Sequence, residues 1–413
     1  MDVVHERAAG IDISKRDAKV AVRVPGARAG TYSTTVTTWG ATVGPITELA
    51  DHLRRQQVTV VVMEATGDYW KPFYFLLEEA GLPVMLVNAK QAKNIPGRKT
   101  DVSDAAWLAQ LGAHGLLRGS FVPPEPIRQL RDLTRARKQA VQDRTRVIQR
   151  LEKFLESTGI KLSGVVSELT GVSARAMLDA LVAGERDPER LASLARGSLS
   201  KKTVLLAEAL RTSRFTDHHA FMIGEHLAAI DQMTGTIERI DTRIEAAIAP
   251  FRHLRDALTT IPGVSAKIAE VIIAETGGDM SVFSTGGHLA SWAGVCPGSN
   301  ESAGRVKSTH TRPGNPYLKG ALGIAAMAAT RNKNSYLAAK YRRIATRRGS
   351  LKALVAIEHT ILIAAWNMLT TGQSFHDLGP DHYDHLNPER ARNNAIRKLR
   401  DLGYDVIITP AAA

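Results

Sequence analysis

The chain changes character at Pro126. Ahead of it, short β-branched or alternating runs recur between turn residues, and beyond it strand signals almost vanish. Ala8–Ser14, Lys19–Val24 and Thr31–Thr38 read as strands joined by hairpins. Ile46–Gln56 then reads as a helix, Val58–Met63 as a buried strand, Tyr69–Ala80 as a helix and Pro83–Val87 as a further strand. Hairpins followed by βαβ units predict a mixed sheet covered by helices, which excludes an all-helical or all-β protein. A length of 413 residues allows two or three domains.

From Ile127 to Leu155 the pattern is one long helix, with Leu130, Val141, Ile148, Leu151 and Leu155 at heptad-compatible positions. Farther on, Ile230, Met233, Ile237, Ile240, Ile244 and Ala247 step 3-4-3-4-3, the spacing of an a/d seam. Two such helices predict an antiparallel coiled-coil stalk or a dimer interface, with loops at Gly184–Pro188 and Gly197–Lys202 between them. A third region begins near Arg255. There Ile261-Pro262-Gly263-Val264-Ser265 separates two helical runs like a helix-hairpin-helix, a turn that can offer backbone N–H groups to a phosphate. The expected partition is residues 1–120, 121–254, 255–370 and a C-terminal extension, 371–413.

Charge points to a polyanion. Lys and Arg total 54 against 41 Asp and Glu, a net +13. No acid occurs between Ala303 and Ile357, a stretch holding Arg305, Lys307, Arg312, Lys319, Arg342, Arg343, Arg347 and Arg348 among twelve basic residues. Mixed-sign surfaces are the rule for mere solubility, so a one-sign segment reads as a phosphate-backbone surface. The first long helix adds eight basic residues against two acids from Arg128 to Arg150, including Arg135, Arg137 and Lys138. Cys296 is the lone cysteine and cannot form an intrachain disulfide. Met1–Gly10 lacks a signal-peptide core, and the apolar stretch from Leu351 to Leu369 is broken by Lys352, Glu358 and His359. No membrane association is expected, and a cytoplasmic location is.

Four carboxylates stand out in the first region. Asp12 interrupts an apolar strand, where a charge is costly unless something pairs with it. Glu64 ends another strand too apolar to want it. Asp101 and Asp104 lie three apart at a helix start and project from one face. Singly, Asp101 fits an N-cap and Asp104 a first-turn acid. Together the four supply hard oxygen ligands for two Mg²⁺ ions clamping a phosphoryl group. In the acid-free region, Ser302 has Ala303 and Gly304 behind it and Arg305 and Lys307 beyond. Small neighbours and cations are what a nucleophilic serine needs to approach a phosphate, although a serine in a glycine-rich loop is usually a turn residue.

Gly10-Ile11-Asp12, Glu64-Ala65-Thr66-Gly67 and Lys99-Thr100-Asp101-Val102-Ser103-Asp104-Ala105 resemble the RNase H-like (RuvC-like) domain of the insertion-sequence 110 family of transposases, whose motif is Asp, Glu, Asp, Asp. The stretch from Ala257 to Leu322 resembles that family's second domain, in which a serine attacks the DNA backbone and becomes joined to it. That serine falls on Ser302; family members commonly carry two serines then two glycines, which leaves Ser299 as a rival. The resemblance implies an α/β RNase H-like domain, a helical coiled-coil region and a mostly α-helical C-terminal domain with the helix-hairpin-helix-like motif. It implies a recombinase that binds Mg²⁺ at Asp12, Glu64, Asp101 and Asp104 and passes through a covalent phosphoserine. Its partners would be donor and target DNA, a structured noncoding guide RNA and further copies of the chain, as homodimer or homotetramer, in a nucleoid-associated bacterial protein. A junction-resolving nuclease using the acids alone and a non-catalytic nucleic-acid scaffold stay open. The resemblance does not explain the chain past Thr371.

Overall fold

A computed structural model describes residues 2–28, 30–88, 92, 95, 103–212, 214–298 and 300–409. The chain divides into two compact units, Met1–Val122 and Pro123–Ala413.

In the first unit β1 (Ala8–Ile13), β2 (Asp17–Pro25) and β3 (Tyr32–Gly40) form an antiparallel meander. β4 (Val60–Glu64) and β5 (Val84–Val87) then pair in parallel, giving the order β3-β2-β1-β4-β5. β1 is apolar on both sides because both faces are covered. On one side Ile11 and Ile13 pack with Val20, Val61 and Met63 against Ile46 and Leu49 of α1 (Val43–Arg55) and Phe73 and Leu77 of α2 (Trp70–Glu79). On the other, Ala8, Val60 and Val62 meet Trp107, Leu108 and Leu111 of α3 (Asp104–Ala113). The expected mixed α/β domain is therefore present.

The second unit is mostly helical. α4 (Glu125–Ser157) has 33 residues, roughly 50 Å at 1.5 Å per residue. After three short helices, α5 (Val172–Val182), α6 (Pro188–Ser193) and α7 (Thr203–Leu210), α8 (Asp217–Ala247) returns along it. The pair is antiparallel: Arg137 binds Asp241 at 3.0 Å near one end, while Leu151 and Leu155 share a core with Ile223 and Leu227 at the other. Along the predicted seam Ile230 and Ile244 are buried, but Met233, Ile237 and Ile240 are only half-buried, since one partner helix covers them there. The segment between the stalk helices is more than loops. Leu162, Met177, Leu181, Leu191 and Leu206 pack into the same core as Leu151, Leu155, Ile223 and Leu227 of the stalk helices.

Beyond the stalk come α9 (Arg252–Leu258), α10 (Ala266–Thr276), α11 (Gly286–Ala293), the two-stranded ribbon β6 (Asn300–Ser302) and β7 (Arg305–Ser308), then α12 (Pro316–Arg331), α13 (Tyr336–Arg348) and α14 (Ser350–Thr371). α14 is the one described helix long and apolar enough by composition to cross a membrane. It packs against α11, α12 and α13 and buries Ile357, Ile361, Leu362 and Ala365 among them. The extension adds α15 (His382–Leu386) and α16 (Pro388–Asp401).

Candidate active site and nucleic-acid surfaces

The side-chain alternation of the sheet places the acids. Ile11 and Ile13 face α1 and α2, so Asp12, like Gly10 and Ala8, belongs to the α3 side. Ile11 pairs with Met63 in the parallel ladder; one step on, Asp12 and Glu64 are neighbours on that same side, both half-buried. Gly10 lets α3 come down onto the strand: a Cβ there would stand 2.1 Å from the Ala105 carbonyl oxygen and 2.4 Å from the Ala109 nitrogen. Asp104, one residue before Ala105, is thereby held over the end of β1. Ser103 caps the helix, its Oγ accepting from the Ala106 N–H at 3.2 Å. Lys19 is cross-strand from Asp12. Three of the four acids thus share one face. Asp101 lies outside the described residues, as does Ser299. Among the described residues no three acid, His or Cys side chains lie close enough together to hold a metal ion by themselves. The donor set is nonetheless all carboxylate on one face, which is what a hard divalent cation takes.

Ser302 closes a hairpin rather than sitting in a loop. It pairs with Arg305 across a two-residue turn in which Ala303 (φ 53°) and Gly304 (φ 73°) are both left-handed, the type I′ geometry. A left-handed alanine costs of order 1 kcal/mol. The whole tip is exposed, and among the described residues nothing hydrogen-bonds the Ser302 hydroxyl. Arg305, Lys307 and Arg312 are exposed beside it.

The neck of the ribbon is tightly built. A Cβ on Gly314 would meet the Ala293 carbonyl oxygen at 2.1 Å, and one on Gly294 the Arg312 carbonyl oxygen at 2.6 Å, so the two backbones cross at closer range than side chains permit. Asn315 caps α12, accepting from Tyr317 and Leu318 N–H, and its Nδ2 donates to Glu275 Oε2 at 2.6 Å. Glu275 is fully buried and accepts two further bonds from Arg135, each 2.7 Å. Lys319 donates to Thr311 Oγ1 at 3.1 Å, fixing the returning strand.

The predicted cations therefore divide. Arg135 is held by Glu275, with its guanidinium 4.5 Å from the Tyr317 ring centre; its hydrogen bond to Glu275 raises its pKa. Arg137 is 7% exposed and bonds Glu270 at 2.7 Å and Asp241 at 3.0 Å. Lys138 reaches the Pro316 carbonyl oxygen at 3.1 Å. These three fasten the stalk to α10 and to the start of α12. Arg342, Arg343, Arg347 and Arg348 stand exposed on α13 instead. The turn after α9 also faces inward: a Cβ on Gly263 would lie 2.2 Å from the Ala325 carbonyl oxygen of α12. The sequence reading missed Glu270, Glu275 and Asn315, which carry no local signal of a distant partner.

A sheet whose acids gather under the first turn of a covering helix, joined to a helical unit with a basic serine ribbon, defines a nucleic-acid-processing enzyme with a carboxylate site. Residues 9–160 match the family model of the DEDD transposase domain, and residues 255–342 match the model described as Transposase IS116/IS110/IS902 family. The chain is 26% identical over 336 residues to the 42 kDa protein of insertion element IS900 from Mycobacterium paratuberculosis, covering 73% of this chain and 80% of that one. It is 33% identical over 108 residues to the 43.6 kDa protein of insertion element IS110 from Streptomyces coelicolor, 26% of this chain and 25% of that one. A transposase homologue from Sinorhizobium fredii is 22% identical over 338 residues, 79% and 77% of the two chains. The chain belongs to the IS110 family of transposases and is an enzyme that acts on DNA. A domain of the DEDD kind implies dependence on a divalent metal.

Proposed function

We propose that this transposase moves its insertion element by cutting and rejoining DNA through a covalent bond to Ser302. The first unit is read as RNase H-like (RuvC-like), with Asp12, Glu64, Asp101 and Asp104 as the residues that would hold Mg²⁺, two ions per site. Bound there, the metal supplies positive charge that polarises a phosphodiester and stabilises the transition state. The chain's own groups do the rest. Ser302 Oγ attacks phosphorus, a P–O bond to the serine forms as the P–O bond to one sugar oxygen breaks, the hydroxyl proton leaves to solvent, and the freed sugar oxygen takes a proton. Arg305, Lys307, Arg312 and Lys319 bring positive charge to the ribbon and draw the phosphate toward the hydroxyl. One phosphoester replaces another, so the sugar oxygen of a different strand can reverse the step without ATP.

The observation that carries this reading is the position of Ser302, an exposed hydroxyl at a hairpin tip with Arg305 directly opposite. An exposed serine with no base of its own needs a second unit to complete its site. We infer that the acids and the serine meet across subunits of a homodimer or homotetramer holding donor and target DNA. A structured noncoding guide RNA would supply sequence choice, held by its phosphates on the exposed arginines of α13. The domain partition proposed from the sequence, with its helix-hairpin-helix-like motif, is kept as the frame for this reading.

The second reading, a junction-resolving nuclease, is favoured by the carboxylate face alone and has no use for Ser302. The two part on Ser302→Ala. Covalent chemistry predicts loss of strand cleavage with DNA binding retained; hydrolysis through metal-activated water predicts that cleavage continues.

A further inference from the structure

The C-terminal extension lies beyond the segments matched by the family models, which end at residue 342. It is docked rather than trailing. Asp377 Oδ1 accepts from the Tyr336 N–H at 2.8 Å at the start of α13, and the Tyr383 ring stacks on Tyr336 at 5.8 Å between centres. The docking creates a groove of about 520 Å³ between α13 and the α15–α16 pair. Arg342, Arg343 and Arg347 line it from α13, and Tyr383, Asp384 and Arg390 from the extension.

The state of these arginines is unlike that of the arginines packed against α8 and α10. Arg131, Arg135, Arg137, Arg175 and Arg255 all have carboxylate partners. Among the described residues none of the four groove arginines forms an ion pair, although Asp384 lines the same groove. Arg343 instead lies 4.3 Å from the centre of the Tyr383 ring, and Arg342 and Arg347 make only long bonds to backbone carbonyls, 3.4 Å each. Four guanidinium groups facing one concavity repel one another and lower their mutual energy when an anion enters. The space is in the range of a small-ligand cleft, roughly 300–1,000 Å³, a size that suits a short run of one strand.

We propose that the extension completes a binding groove for the phosphodiester backbone of a single nucleic-acid strand, with Arg342, Arg343, Arg347 and Arg390 as the phosphate contacts. The proposal rests on this chain acting as a transposase that handles separated strands, and it assigns the extension a role in holding one of them. The contacts are to backbone, so RNA and DNA strands are both accepted and base sequence is not read.

The test is fluorescence anisotropy of the full chain with labelled single-stranded RNA, single-stranded DNA and duplex DNA over a range of salt concentrations. Each phosphate contact on a single strand contributes about 0.7 to the slope of log affinity against log salt, so the double variant Arg342→Ala/Arg390→Ala should lower its magnitude by about 1.4. Asp384→Asn removes the one opposing charge and should tighten single-strand binding. Both sites are exposed, so folding is not at stake. Unchanged slopes for both single strands, or a loss confined to the duplex, would overturn the proposal. Adduct formation by Ser302 is a separate readout, so failure of the groove leaves the serine reading standing, and the reverse holds too.

Discussion

Gly10 offers the sharpest perturbation of the carboxylate site without touching a carboxylate. A Cβ at that position would sit 2.1 Å from one backbone atom of α3 and 2.4 Å from another, where ordinary contact begins at 3.4 Å. Neither atom can rotate away, so in Gly10→Ala the first turn of α3 must back off by about 1 Å. Overpacking of this kind costs about 1–3 kcal/mol, which should lower the melting temperature of the first unit by several degrees. The larger effect is on function, because the turn that moves begins with Asp104. A misplacement of about 1 Å in a reacting constellation costs on the order of 10²-fold in rate. Gly44→Ala is the control, since a Cβ there meets nothing within 4 Å. The assay is metal-dependent cleavage of DNA carrying the element's ends, with thermal melts of the same preparations. Gly10→Ala that melts and cleaves like the parent would refute the seating of α3 on β1. A lowered melt with normal cleavage would show that this contact does not set the place of Asp104.

Three further outcomes follow from the same geometry. Asn315→Ala removes a helix cap, worth about 1 kcal/mol, and a hydrogen bond to a buried carboxylate, worth about 1.5–3 kcal/mol, so urea unfolding of the second unit should lose about 3 kcal/mol. Asn315→Asp keeps the cap but sets a carboxylate against Glu275, so it should be no more stable than Asn315→Ala; stability equal to the parent's would contradict the network. Glu358 is 8% exposed with no hydrogen-bond partner for Oε2 among the described residues, and burial raises its pKa, against the pull of Lys319. The folded chain therefore holds this proton more tightly than the unfolded chain, and stability falls as pH rises from the unfolded pKa through the folded one. Glu358→Gln should be stabilising by about 1 kcal/mol at neutral pH and should lose that advantage in acid; thermal melts across pH that stay parallel would argue against it. Chelation of divalent cations should abolish strand cleavage and leave single-strand binding at the C-terminal groove unchanged, as read by gel and by anisotropy.

Much of the first unit was legible because its strands are apolar on both faces or alternate cleanly, so that Asp12 and Glu64 stood out as interruptions. The placing of Asp104 on their side of the sheet was not, because it depends on a backbone contact at Gly10 that no pattern announces. The stalk was legible from heptad spacing, and Lys352, Glu358 and His359 marked the apolar run of α14 as a poor membrane span. The direction of the stalk's charge was hidden. Arg135 and Arg137 read as cations free for phosphate, yet their partners Glu275 and Glu270 lie 140 and 133 residues away. A sequence displays a charge but not what neutralises it, and only the fold separates the paired arginines of α4 from the unpaired ones of α13. The serine ribbon was read as a glycine-rich loop because Ala303 occupies a left-handed position that glycine ordinarily takes.

The most direct trial of the account is to trap the enzyme on DNA under denaturing conditions, digest the product and locate the attached nucleotide by mass spectrometry. The predicted result is a nucleotide phosphate on Ser302 of the parent, absent from Ser302→Ala and from Asp12→Asn. A parent enzyme that cuts DNA with no nucleotide on any side chain, or with the nucleotide on Ser299, would contradict it.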